Sequence, residues 1–222
     1  VDVAADAIVE YFDKNPHTET FSLGANDSSG YCECSACTVK DKGRRNFIGR
    51  RSYSNIYFDW ANEVVENVLK VHPDKWVGCF AYSELAEPPT HTKVHPRIVP
   101  FLTYDRLKLI DPELETFGRA LTRRWSSSSF VLGWYEYLYG TPYCLPRVYF
   151  LKLAENLRFA YSQGVRAFVG EAYPNWGEGP KLYLTLKLLW NPHQDPRRLL
   201  TDWYKCAVGA SAANDLEAYY DL

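Results

Sequence analysis

Methionine is absent from this chain, which opens at Val1. With no initiator, a piece of a longer or processed protein is expected. Long hydrophobic runs are absent too. None approaches the roughly 18 apolar residues of a bilayer-spanning helix, so no membrane span is expected, and no signal peptide is visible. Neither sign of charge dominates: 25 Lys and Arg against 27 Asp and Glu leave a net charge of −2. That balance offers no electrostatic footprint for nucleic acid or an anionic membrane. Histidine is sparse, with His17, His72, His91, His95 and His193 dispersed. None accompanies a Ser or Cys elbow, so nucleophilic Ser or Cys hydrolysis has no support. Neither a GxGxxG fingerprint nor a P-loop occurs, and no cofactor is expected.

What is present is aromatic. Aromatics make up 16% of the 222 residues, with 7 Trp and 17 Tyr. A filled core and stacking walls for pyranose rings are both open explanations. The length suits one domain over residues 1–222 with a sizeable core. Of the 6 Cys, three cluster as Cys32-x-Cys34-x-x-Cys37. This is not the dense framework of a small disulfide scaffold. Cys79, Cys144 and Cys206 read as small buried hydrophobes.

In chain order, Val3–Phe12 reads as a helix stopped by Asn15-Pro16, and Phe21–Ala25 as a strand. A long aperiodic loop follows, holding the cysteines and the basic run Lys40–Arg51, which is expected to be solvated. Ser54 is the expected N-cap of a helix to about Val71, with Ile56, Trp60, Val64 and Val68 on its apolar face. Strands are expected at Trp76–Tyr82 and Ile98–Tyr104, with Pro100 arguing against a central place for the second. A helix over Pro112–Trp125 precedes the apolar run Phe130–Trp134. The next helix starts at Leu145-Pro146, lines one face with Phe150, Leu153, Leu157 and Tyr161, and ends at Gly164. Val165–Glu171 is a strand, and Leu182–Trp190 and Asp195–Val208 are closing helices. Near-strict alternation predicts an α/β fold with a parallel sheet. Five strands, not eight, predict the last five βα units of a (β/α)8 TIM-type barrel.

In parallel sheets the C-terminal strand ends share one rim, where chemistry is done. Asp27, Glu84, Glu136 and Glu171 all follow strands. Carboxylates amid aromatics are what glycosidic cleavage asks for: one protonated acid at the leaving oxygen and a second group at the oxocarbenium-like centre. Each one equally reads as a helix cap or an ion-pair partner. Tyr82, Tyr104, Trp134, Tyr135, Tyr137, Tyr139, Tyr173 and Trp176 are the candidate sugar-stacking rings. Alternation puts Trp134 and Glu136 on one side and Tyr135 and Tyr137 on the other. The expectation is that Trp134 lies inside the barrel beneath Glu136, with Tyr135 against helices. Cys32, Cys34 and Cys37 form a weak metal cluster lacking a fourth ligand nearby, and disulfide or free thiols are the alternatives. Asn26-Asp27-Ser28 matches a glycosylation acceptor.

Several of these segments together resemble glycoside hydrolase family 163: Phe21 to Asp27 with Cys32 to Cys37, Tyr57 to Asn62, and His72 to Trp76 with Ala81-Tyr82. Trp134 to Tyr137 and Leu188 to Pro192 with Asp195 complete the likeness. The resemblance implies the C-terminal part of a TIM-barrel glycosidase acting on β-linked N-acetylglucosamine, with a glycan substrate and an extracellular or periplasmic setting. It further implies that the rest of the barrel precedes Val1. Glu136 and Glu171 carry over as acid/base and partner, with Asp27, Tyr82, Glu84, Trp134, Tyr173 and Trp176 on the substrate. A retaining, substrate-assisted variant is among the possibilities it implies. A non-catalytic carbohydrate-binding barrel and an α-glucuronidase-like hydrolase are the alternatives.

Overall fold

The computed structural model describes residues 1–25, 30–138, 147–172 and 176–221, with Trp176 through its backbone alone. Five strands form one sheet in the sequential order β1-β2-β3-β4-β5. They are β1 (Thr20–Ser22), β2 (Trp76–Ala81), β3 (Ile98–Thr103), β4 (Leu132–Tyr137) and β5 (Val165–Glu171). The helices are α1 (Asp2–Lys14), α2 (Ser35–Asp41), α3 (Ser54–Leu69), α4 (Pro112–Ser128), α5 (Phe150–Ser162), α6 (Gly179–Trp190), α7 (Pro196–Val208) and α8 (Ala213–Tyr220). The pairings β1–β2, β2–β3 and β3–β4 are parallel. Sequential parallel strands are the order of a TIM-type barrel, of which five strands are an incomplete set. Among the described residues no helix is long and apolar enough to cross a membrane.

By internal contacts the chain divides into two compact units. The first holds Val1–Tyr104, Arg119–Tyr135 and Gly164–Val169, and so most of the sheet. Its strands alternate. Val77, Cys79, Ala81, Ile98, Leu102, Leu132 and Trp134 are buried, whereas Val99, Phe101, Thr103 and Tyr135 are half-buried and Phe80 is exposed. Ala5, Ile8 and Phe12 of α1 pack on Val64 and Val68 of α3, and Trp125 sits edge-on to Phe58 at 5.7 Å. The second unit holds Asp105–Gly118, Glu136–Gln163 and Gly170–Leu222. There Leu153 and Leu157 of α5, Leu184 and Leu188 of α6, and Leu199 of α7 are buried. Tyr204 and Tyr220 stack at 5.9 Å.

Five expectations need correction here. Ser54 is the first residue of α3, not its cap; Tyr53 holds the cap position, and the Ser54 hydroxyl donates to the Glu87 carbonyl at 2.6 Å. Pro100 lies in a central strand. The Val77 N–H donates to the Arg97 carbonyl, so odd residues of β3 bond β2 and Pro100 turns its missing N–H toward β4. Pairing with β4 begins only at Phe101↔Gly133, so the sheet gives up little there. The buried face of α3 is turned toward Tyr57 and Phe58, leaving Ile56 and Trp60 half-buried. Tyr161 and Cys206 are exposed, not core. Gly164 does end α5, with φ of +82°. Leu145, Pro146, Tyr139 and Cys144 lie outside the described residues.

Candidate functional site

In the first unit the corner after β2 is built around Glu84, which is 5% exposed. Ser83 before it adopts φ of +56°, a left-handed conformation costly for a residue with a Cβ. The Asn46 amide donates to the Ser83 carbonyl at 2.7 Å and holds it there. Arg50 donates to the Ser83 hydroxyl at 2.8 Å and to Glu84 Oε1 at 3.2 Å, and the Ser83 hydroxyl donates to Glu84 Oε2. Burial alone would raise the Glu84 carboxyl; the Ser83 hydroxyl, its own backbone N–H and Arg50 outweigh that and hold it below the ordinary carboxylate value. Glu84 is thus an anion at neutral pH. Beside it, Tyr31 stacks on Tyr53 at 4.6 Å, and the Tyr53 hydroxyl donates to Glu33 at 3.3 Å. Burial, and then the Glu84 charge, push the Tyr31 hydroxyl up to about 12.

The basic run is largely exposed, as expected, and also pairs with the chain's own anions. Arg50 meets Glu84, Arg44 meets Glu87 at 3.3 Å, and Lys40 meets Asp59 at 2.6 Å.

A cavity of about 460 Å³ opens on one face of this unit's sheet, lined by Phe21, Gly78, Phe80, Phe101 and Val169 among others. Tyr135 meets Phe80 edge-on at 5.3 Å. A Cβ at Gly133 would fall 2.5 Å from the Phe101 ring. Gly133 and Tyr135 therefore face the cavity side, and Trp134, 1% exposed, faces away from it. The expected orientation of Trp134 and Tyr135 is reversed. Tyr82 follows β2 and is 41% exposed.

In the second unit Glu136 is 1% exposed. Its Oε1 accepts from the backbone N–H of Arg106 at 3.2 Å and of Tyr137 at 3.0 Å, and Oε2 accepts from the Arg106 guanidinium at 3.3 Å. Burial raises the carboxyl above its ordinary value, and Arg106 only partly offsets this. Arg106 is buried too, and burial depresses its own pKa. Around this pair Arg147 donates to Asp105 and, at 2.8 Å, to the Tyr137 carbonyl. The Arg147 N–H donates to Glu178 at 3.1 Å, and Glu178 pairs with the fully buried Lys181. The Lys181 ammonium lies 5.4 Å from the Tyr149 ring centre. Sequence reading missed Arg106, Arg147, Glu178 and Lys181. The Asp105-Arg106 pair directly after a strand was the one visible signal.

Glu171 ends β5 and is half-buried. The Leu138 N–H donates to its carbonyl at 3.0 Å, which in a parallel pair sets Tyr137 beside Glu171. Adjacent side chains alternate, so Glu136 points to the opposite face from Tyr137 and Glu171. The two glutamates end consecutive strands and look opposite ways. Asp27 and Tyr173 lie outside the described residues, as does the side chain of Trp176.

The sulfurs of Cys32, Cys34 and Cys37 lie within 4.8 Å of one another, and all three are thiols. They are the residues suited to hold a metal ion among those described. No curated protein matches this chain. No solved structure matches it. A family model does match, over residues 1–221, and by it the chain belongs to the family described as Domain of unknown function (DUF4838).

Proposed function

We propose that the chain is the C-terminal part of a glycoside hydrolase barrel acting on glycans that contain β-linked N-acetylglucosamine. The observation that carries this reading is that Glu136 and Glu171 lie at the C-terminal ends of consecutive strands of one sequentially ordered sheet, with the half-buried ring of Tyr137 beside Glu171. The resemblance to glycoside hydrolase family 163 supplies the sugar.

The opposed facing of Glu136 and Glu171 favours one division of labour. Glu171 gives its proton to the glycosidic oxygen as the C1–O bond breaks. The 2-acetamido oxygen of the substrate attacks C1 and closes an oxazolinium ring. Water then opens that ring, Glu171 takes its proton, and the configuration at C1 is retained. Glu136, bound to Arg106 and two backbone N–H groups, is a positioning residue that fixes Tyr137 next to Glu171.

The test uses the full-length protein and an aryl β-N-acetylglucosaminide. Glu171→Gln is expected to lower kcat by about 10²–10⁴-fold, and a thiazoline mimic of the cyclised intermediate is expected to inhibit. Undiminished kcat in Glu171→Gln removes that residue from the chemistry. The burial and full pairing of Glu136 favour a second reading, a carbohydrate-binding barrel without turnover. Calorimetric glycan binding with no hydrolysis would select it.

A further inference from the structure

We propose that Cys32, Cys34 and Cys37 bind one thiophilic divalent ion, Zn²⁺ above all, as three thiolates with the fourth position left to water or an exchangeable ligand. The geometry is close to what such an ion needs. Tetrahedral zinc with Zn–S bonds of about 2.3 Å spaces its sulfurs about 3.8 Å apart, and these three already lie within 4.8 Å of one another. Among the described residues no fourth His, Cys, Asp or Glu joins the group.

The backbone is arranged for the same purpose. Cys34 occupies the cap position of α2 and Cys37 is its third residue, so both thiols sit at the first turn. The Cys34 carbonyl accepts from the Cys37 N–H at 3.1 Å and the Thr38 N–H at 2.9 Å, which closes that turn. The backbone N–H groups of Cys37 and Ala36 point at the Cys34 sulfur. Peptide N–H groups aimed at a sulfur are the supporting donors that a metal-bound thiolate uses.

The other end of α2 is anchored. Buried Asp41 accepts from the Asn55 amide at 2.7 Å and from the Ile56 N–H at 3.3 Å. A metal at the front of α2 would therefore clasp the segment that carries Tyr31 and Glu33 against Tyr53, whose N–H donates to the Glu84 carbonyl. Its role is to hold the wall beside the Glu84 corner. The proposal stands apart from the glycosidase reading, because metal content is measured without reference to turnover.

The test takes the full-length protein purified under reducing conditions without chelator. Elemental analysis is expected to find about one zinc per chain. After chelation, titration with Cd²⁺ is expected to give a thiolate-to-metal charge-transfer band that saturates at the same stoichiometry. Cys34→Ser is expected to lose the band, while Cys206→Ser, at an exposed thiol elsewhere, keeps it. Metal removal is expected to raise hydrogen exchange over residues 30–41. A wild-type protein that holds no zinc and gives no Cd²⁺ band overturns the proposal, as does a native disulfide between any two of the three. Both of these results are read on the wild type, so they hold even if a variant fails to fold.

Discussion

The two units treat a strand-end glutamate in opposite ways. In the first, Glu84 rests under a hydroxyl and a largely exposed arginine, and these donors outweigh its burial. In the second, Glu136 and Arg106 are both sealed from water, and burial prevails over their attraction. Similar residue types at similar places in a βα unit thus give a stabilised anion in one case and a costly one in the other. The deciding variable is solvent around the partner, not the presence of a salt bridge. A charged pair seen in sequence beside a strand end therefore says little about its energetics until burial is known.

The largest effect should come from breaking the buried pair. Arg106→Met leaves the Glu136 charge unpaired in a dry site and should cost about 3–5 kcal/mol in urea unfolding. Arg50→Met leaves Glu84 with its hydroxyl donor and should cost about 0–1 kcal/mol. The double variant Arg106→Met/Glu136→Leu should recover most of the loss. Equal costs for the two arginine variants would erase the contrast.

Position along the chain was legible where it depended on local pattern. β2 to β5 and the long helices announced themselves through apolar runs and i, i+4 rows, and the glutamates fell at strand ends as expected. α2 is a short helix inside a polar loop, and α8 carries little apolar periodicity, so neither stood out. Alternation along β4 fixed that Trp134 and Glu136 share a side, but not which side is covered. That was decided by Gly78 and Gly133, which leave room for the Phe101 ring. Arg106 reaches Glu136 and Arg147 reaches Glu178 from distant segments, and pairing of that kind has no sequence period to reveal it, whereas Lys181 lies only three residues from Glu178.

A middle-sized effect tests that covering argument. Gly133→Ala puts a methyl into the Phe101 ring at 2.5 Å, and should cost about 1–3 kcal/mol. Phe101→Leu in the same chain should relieve part of it, giving a favourable coupling in a double-mutant cycle. In the second unit a Cβ at Gly179 would meet Trp203 at 2.6 Å. There Ala is better than Gly within a helix by up to about 1 kcal/mol, so Gly179→Ala should cost less. A Gly133→Ala variant as stable as wild type would mean that Phe101 does not lie across that glycine.

The smallest effect is in pH dependence, where sign matters more than size. The Glu84 carboxyl sits below its ordinary value of 4.5 in the folded chain. Its contribution to stability is therefore full above 4.5 and is lost as pH falls through the lower folded value. The Glu136 carboxyl sits above 4.5, so the folded state holds its proton more tightly than the unfolded one. Its contribution is most favourable below 4.5 and declines as pH rises through the folded value. Urea unfolding between about pH 3.5 and pH 7.5 on wild type, Glu84→Gln and Glu136→Gln reads the two slopes. The wild-type advantage over Glu84→Gln should grow with pH, and that over Glu136→Gln should shrink. The slope is the readout, because Glu136→Gln also strands Arg106 and lowers stability at every pH. Slopes of one sign in both variants would show that burial does not govern Glu136, and that the two glutamates are held alike.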